Sequence, residues 1–162
     1  MNRLIESLEG RRLMSTTPTL NVTLAGGVLT IENAQDLQAN ASFDGSVTHV
    51  VVTTQQPSVF VGDNVTIHGT FDGVTRIVIT GTIGDDNITL GMNTAGITAS
   101  INTGNGRDLV SISGSGSTTA VTDPDSAIVT IDAGNSKDSI LVFGTTYYIY
   151  PTHGTDTVEN PF

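Results

Sequence analysis

Cysteine and tryptophan are absent from this 162-residue chain, and aromatic residues of every kind make up only 5% of it. Without cysteine there is no disulfide framework, no thiolate metal site and no thiol nucleophile. With so few rings, base-stacking or sugar-stacking platforms are scarce. Positive charge is scarce as well. Six Lys and Arg stand against sixteen Asp and Glu, giving a formal charge of −10, and three of the six (Arg3, Arg11 and Arg12) fall in the first twelve positions. So acidic a body repels nucleic-acid phosphates and anionic membranes, which excludes nucleic acid as an expected partner, and it attracts cations. No apolar run approaches the ~20 residues of a spanning helix, so no membrane insertion is expected.

What the chain does contain is glycine, threonine, serine, asparagine and valine in alternating runs broken by tight turns, the composition of a turn-rich β protein. One pattern recurs. Ala99-Ser-Ile-Asn-Thr-Gly-Asn-Gly-Arg-Asp-Leu-Val-Ser-Ile-Ser-Gly114 aligns without a gap on Val129-Thr-Ile-Asp-Ala-Gly-Asn-Ser-Lys-Asp-Ser-Ile-Leu-Val-Phe-Gly144. Phe43-Asp-Gly-Ser-Val-Thr-His-Val-Val-Val-Thr53 likewise echoes Phe71-Asp-Gly-Val-Thr-Arg-Ile-Val-Ile-Thr80, with one residue fewer in the second copy. A unit of roughly 22 to 30 residues thus recurs from residue 43 onward, and recurrence at such a period marks stacked repeats that share a core.

The chain divides into an N-terminal segment (1–15), a linker and hairpin cap (16–42) and a repeat region with a C-terminal cap (43–162). Leu4, Ile5 and Leu8 fall near helical spacing in the first segment. Asn21–Ile31 reads as a hairpin around Ala25-Gly26-Gly27, and residues 32–42, which lack strand alternation, read as a short helical turn. In the repeats, alternation directs Ile77, Ile79, Ile88, Leu90, Ala99, Ile101, Val110, Ile112, Val129, Ile131, Ile140 and Val142 inward, with Thr66, Thr89, Ser111 and Thr130 outward. Gly91–Gly96 reads as a turn, and Tyr147, Tyr148, Tyr150 and Phe162 as a cap on the last repeat. The expected fold is all-β: a small right-handed parallel β-helix or β-roll solenoid, with a β-sandwich as the alternative.

The turns carry the candidate chemistry. Gly81-Thr-Ile-Gly-Asp-Asp-Asn-Ile-Thr89, Thr103-Gly-Asn-Gly-Arg-Asp-Leu-Val-Ser111, Ala133-Gly-Asn-Ser-Lys-Asp-Ser-Ile-Leu141 and Pro151-Thr-His-Gly-Thr-Asp-Thr-Val-Glu159 each resemble the nonapeptide G-G-x-G-x-D-x-U-x of hemolysin-type (RTX) calcium-binding repeats. No copy is complete. At the N-terminus, Leu8-Glu9-Gly10-Arg11-Arg12-Leu13-Met14-Ser15 resembles the LEPR-x-L-L sorting segment of exported bacterial proteins, with Gly10 in place of its Pro and Met14 in place of its second Leu.

The RTX resemblance implies calcium shared between stacked turns. The candidate ligands are Gly84, Asp85, Asp86, Gly106, Asp108, Asp138 and Asp156, with Asp63 a lesser candidate. Calcium takes 6–8 oxygens, more than one such turn supplies. The Asp spacings are 22, 30 and 18 residues, so the coils need unequal turns on the opposite side. Asp and Asn also favour turns for backbone reasons alone, and Arg107 and Lys137 sit where they would neutralise the carboxylates without a metal. His49, His68 and His153 form no metal-binding spacing and read as incidental. No nucleophile elbow or phosphate loop appears, so no enzyme is expected. Together these features point to a secreted or cell-surface bacterial protein with a structural or adhesive role. Its partners would be calcium ions and cell-surface components or other copies of surface proteins. The alternatives are a metal-free surface or adhesion module and a calcium-assisted polysaccharide-active enzyme.

Overall fold

Residues that alternate in polarity cannot bury one side of an isolated strand, so strands from distant parts of the chain must share an interior. The computed structural model describes residues 19–56, 64–94, 96–114, 128–134, 138–143 and 157–159. Among them are twelve strands and no helix: β1 (Asn21–Ala25), β2 (Val28–Glu32), β3 (Asp36–Phe43), β4 (Thr48–Gln56), β5 (Asn64–Asp72), β6 (Arg76–Thr80), β7 (Asn87–Asn93), β8 (Thr98–Asn102), β9 (Leu109–Ser113), β10 (Ile128–Asp132), β11 (Ser139–Phe143) and β12 (Thr157–Glu159). No helix of the described residues is long and apolar enough to cross a membrane. Val129's side chain, the Tyr147–Tyr150 cluster, Phe162, Asp63, Asp156, Lys137 and the N-terminal sorting-like segment lie outside what is described.

The all-β class holds. The strands form two open mixed sheets, ordered β1-β2-β6-β8-β10 and β12-β11-β9-β7-β3-β4-β5. The expected hairpin is present as β1 and β2, joined through Gly26 and Gly27 at φ +57° and +80°, the both-positive pair of a type I′ turn. From β6 to β11 successive strands alternate between the sheets, and neighbours within each sheet run parallel without a register shift.

That register builds the core in columns. Ile31, Ile79, Ile101 and Ile131 line up on one sheet, and Leu37, Ile88, Val110 and Ile140 on the other. All eight are buried in one apolar layer. Each such side chain contributes about 1.5–3 kcal/mol relative to exposure. Every other inward position named from the alternation whose side chain is described is buried too.

Three expectations fail. Residues 36–43 form strand β3, not a helical turn, because Leu37, Ala39 and Ala41 alternate inward between two partner strands, β4 and β7. The stretch Gly91–Asn93 belongs to β7, not to a turn: Met92 is fully buried beside Ala41, and the connection to β8 occupies only 94–97. The Phe43–Thr53 and Phe71–Thr80 copies do not pair alike. The first leads into the antiparallel hairpin β4–β5 appended beyond β3, whereas the second leads into β6, which pairs in parallel with β2.

Candidate functional site

Between β6 and β11, three connections carry the chain from the first sheet to the second, at residues 81–86, 103–108 and 133–138. Each has six residues, since β6 ends at Thr80 and β7 starts at Asn87, and the pairs 102/109 and 132/139 repeat that interval. Equal length in unshifted parallel register stacks equivalent positions directly, one strand spacing (~4.8 Å) apart. The described backbone ladder continues through the stack: Gly81 N–H donates to the Asn102 carbonyl at 2.7 Å and Thr103 N–H to that of Asp132 at 3.0 Å.

Glycine is required for this close stacking at two sites in particular. Gly104 has φ +94°, and a Cβ there would run into the Thr82 carbonyl oxygen; Gly106 has φ +136°, and a Cβ would meet the Gly84 carbonyl. The Thr82 and Gly84 carbonyls therefore face along the stack onto the glycines of the following turn, an approach no side chain would permit.

The sixth position of each turn is aspartate. Asp86, Asp108 and Asp138 form a column and are 3%, 3% and 1% exposed. The column is knitted by carboxylate caps: Asp86 N–H donates to Asp108 Oδ1 at 2.9 Å, and Asp108 N–H donates to Asp138 Oδ1 at 2.9 Å. Their carbonyls accept from the next turn, Asp86 from Leu109 N–H at 2.8 Å and Asp108 from Ser139 N–H at 2.9 Å. Asp86 is further held within its own turn, where Thr82 N–H donates to Oδ2 at 2.6 Å and the Thr82 hydroxyl to Oδ1 at 2.7 Å.

Burial raises the Asp86 carboxyl above its ordinary value. The Thr82 hydrogen bonds work against that shift, and the charges of Asp108 and Asp36 reinforce it. Asp108 Oδ2 and the Thr103 hydroxyl are buried with no hydrogen-bond partner among the described residues. A buried carboxylate oxygen in that state is costly unless a donor or cation reaches it.

Of the residues singled out from the sequence, Asp86, Asp108 and Asp138 are thus brought into one column, and Asp156 lies outside the described residues. Gly84 and Gly106 stack beside the column. Asp85 is exposed and accepts the Arg107 backbone N–H at 2.9 Å. Arg107 itself is exposed and makes no ion pair among the described residues. Among the described residues no group of three or more His, Cys, Asp or Glu is placed to hold a metal ion. For a cation, the geometry offers the Asp108 Oδ2 atom and turn carbonyls that run along the stack.

Two sets of residues carry no plain mark in the sequence. Thr82 anchors Asp86, although only its place in the turn hinted at it. His49 reads as incidental from its spacing, yet its ring lies between Asp44 and Asp72. The repeated Phe-Asp-Gly at 43–45 and 71–73 was the available signal. No protein-family model, curated protein or solved structure matches the chain.

Proposed function

We propose that this chain is a structural or adhesive β-solenoid of the bacterial cell surface or exterior, whose Asp-lined turns take calcium. The parallel, unshifted stacking of β6 through β11 supports the solenoid reading, in which each coil contributes one strand to each sheet. The RTX-like turns, the acidic composition and the sorting-like N-terminus support the rest. The observation that carries the calcium reading is the buried Asp108 Oδ2 without a partner, one turn from the buried Asp86. A divalent ion between these turns offsets the desolvation of both carboxylates, and the turn carbonyls supply neutral oxygens. Because calcium binds only the folded turns, it couples folding to the calcium outside cells.

One observation favours a second reading, a metal-free module of the same kind. Asp108 Oδ1 and Asp138 Oδ1 already cap backbone N–H groups, so the ladder closes without an ion. Thermal unfolding with and without millimolar calcium separates the two. One site at ~100 times its Kd adds about 2.7 kcal/mol, a rise in Tm of roughly 5–10 °C. The calcium reading expects that rise in the native chain, a smaller one with magnesium, and none in the Asp86→Asn, Asp108→Asn double variant. Equal responses to calcium and magnesium leave the metal-free module standing.

A further inference from the structure

The hairpin β4–β5 is held at its base by a charge cluster remote from the aspartate column. The chain leaves β3 through Asp44–Val47 and returns from β5 through Gly73–Thr75. Pairing of β4 with β5 brings the two Phe-Asp-Gly copies to one histidine: His49 lies opposite Asp72 in register, and Asp44 reaches it from the β3–β4 turn. His49 Nδ1 is 2.6 Å from Asp72 Oδ1 and Nε2 is 3.0 Å from Asp44 Oδ2. The other Asp44 oxygen accepts Ser46 N–H at 2.8 Å and Val47 N–H at 2.9 Å, while Gly73 N–H donates to the Thr48 carbonyl at 2.9 Å. One ring therefore ties the outgoing turn to the returning strand.

Carboxylate oxygens only accept, so a ring bonded to both must donate from both nitrogens, which a neutral imidazole cannot do. The charged groups facing the ring are Asp44 and Asp72; from β3 the residue opposite His49 is Ser42. We infer that His49 is a pH-sensitive clasp on the β4–β5 hairpin, closed while the imidazole holds both protons and open once it releases one. On release, a nitrogen lone pair faces a carboxylate oxygen, and one of the two links becomes repulsive. The Asp44 hydrogen bond first, and then that of Asp72, raise the ring's affinity for protons above the ordinary value of 6.5. While its carboxylates stay ionised, the clasp is therefore fully closed below pH 6.5 and is lost as pH rises through the raised value. The side chains of His49, Asp44 and Asp72 are 29%, 53% and 67% exposed, so salt weakens it.

The test is histidine nitrogen NMR on the full chain across neutral and alkaline pH, with amide exchange of Ser46, Val47 and Gly73 over the same range. His49 is expected to carry both protons at neutral pH and to titrate above 6.5. The three amides should lose protection several-fold as it titrates, and Asp72→Asn should move the titration back toward 6.5. Titration of His49 at or below 6.5, or amide protection that ignores its protonation, overturns the clasp.

Discussion

Asp86 donates its backbone N–H to the carboxylate of Asp108, 22 residues further along the chain and 2.9 Å away. The same bond joins Asp108 to Asp138 across 30 residues. A residue type usually valued for capping its own turn caps the turn before it at Asp108 and Asp138, so each of these two carboxylates fastens two levels of the stack. Removing the acceptor strands a buried N–H, which costs about 1–3 kcal/mol. Asp108→Ala is expected to lose that much stability in denaturant titrations. Asp108→Asn keeps an acceptor of the same shape and, in calcium-free buffer, should lose clearly less. Equal losses would place the effect in packing rather than in the cap.

Acid titration of Asp86 gives a second test. Its carboxyl is raised, so the native state binds the proton better than the unfolded chain. Its contribution is present below the unfolded value of 3.8 and is lost as pH rises through the folded value. Asp44 works the other way. His49, and then the Val47 and Ser46 N–H groups, hold its carboxyl well below the usual range, so its contribution is present above 3.8 and lost on acidification. The whole-protein curve mixes both trends, and the difference between native chain and Asp86→Asn isolates one. In the absence of divalent ions, the variant should gain on the native chain as pH rises from 3 toward 7; a flat difference would contradict the raised carboxyl.

Glycine replacements test the stacking. Gly26 and Gly104 both have positive φ, but a Cβ at Gly26 meets nothing within 4 Å, whereas one at Gly104 strikes the Thr82 carbonyl. Gly26→Ala is expected to cost about 1 kcal/mol, the left-handed backbone cost alone. Gly104→Ala adds an overpacking cost and should lose about 2–4 kcal/mol. Comparable values for the two would mean the turns do not stack this closely.

Met92 tests the placement of Gly91–Asn93 in a strand, where the local pattern reads as a turn. As a fully buried core residue it should lose about 2–5 kcal/mol on replacement by Ala, measured by chemical unfolding. A surface turn residue would lose almost nothing.

The legible part of the fold was the part written in large aliphatic residues. Ile77/Ile79, Ile88/Leu90 and Val110/Ile112 alternate so plainly that their burial follows from period alone, and the shared six-residue turns place Asp86, Asp108 and Asp138 together. Strand β3 escaped because Ala39 and Ala41 are too small to announce an alternation, although neighbours on both sides bury them. Gly91 looked like a turn residue, but it sits in β7 where a Cβ would run into the Asn40 side chain. The His49 cluster was hidden for a different reason: the repeated Phe-Asp-Gly marks both aspartates, but only the pairing of β4 with β5 brings Asp72 to the histidine that Asp44 reaches from its turn.

We propose that the Asp86–Asp108 level of the stack is a calcium site as well as a structural ladder. Amide NMR of the full chain during a calcium titration tests it most directly, since the Asp86 N–H reports on Asp108 Oδ1 and the Asp108 N–H on Asp138 Oδ1. A calcium site there makes the Asp86 and Asp108 resonances shift together and saturate with calcium, with magnesium producing a lesser change. If saturating calcium leaves both amides where they were, or magnesium moves them equally, the ladder is structural alone and the calcium reading is wrong.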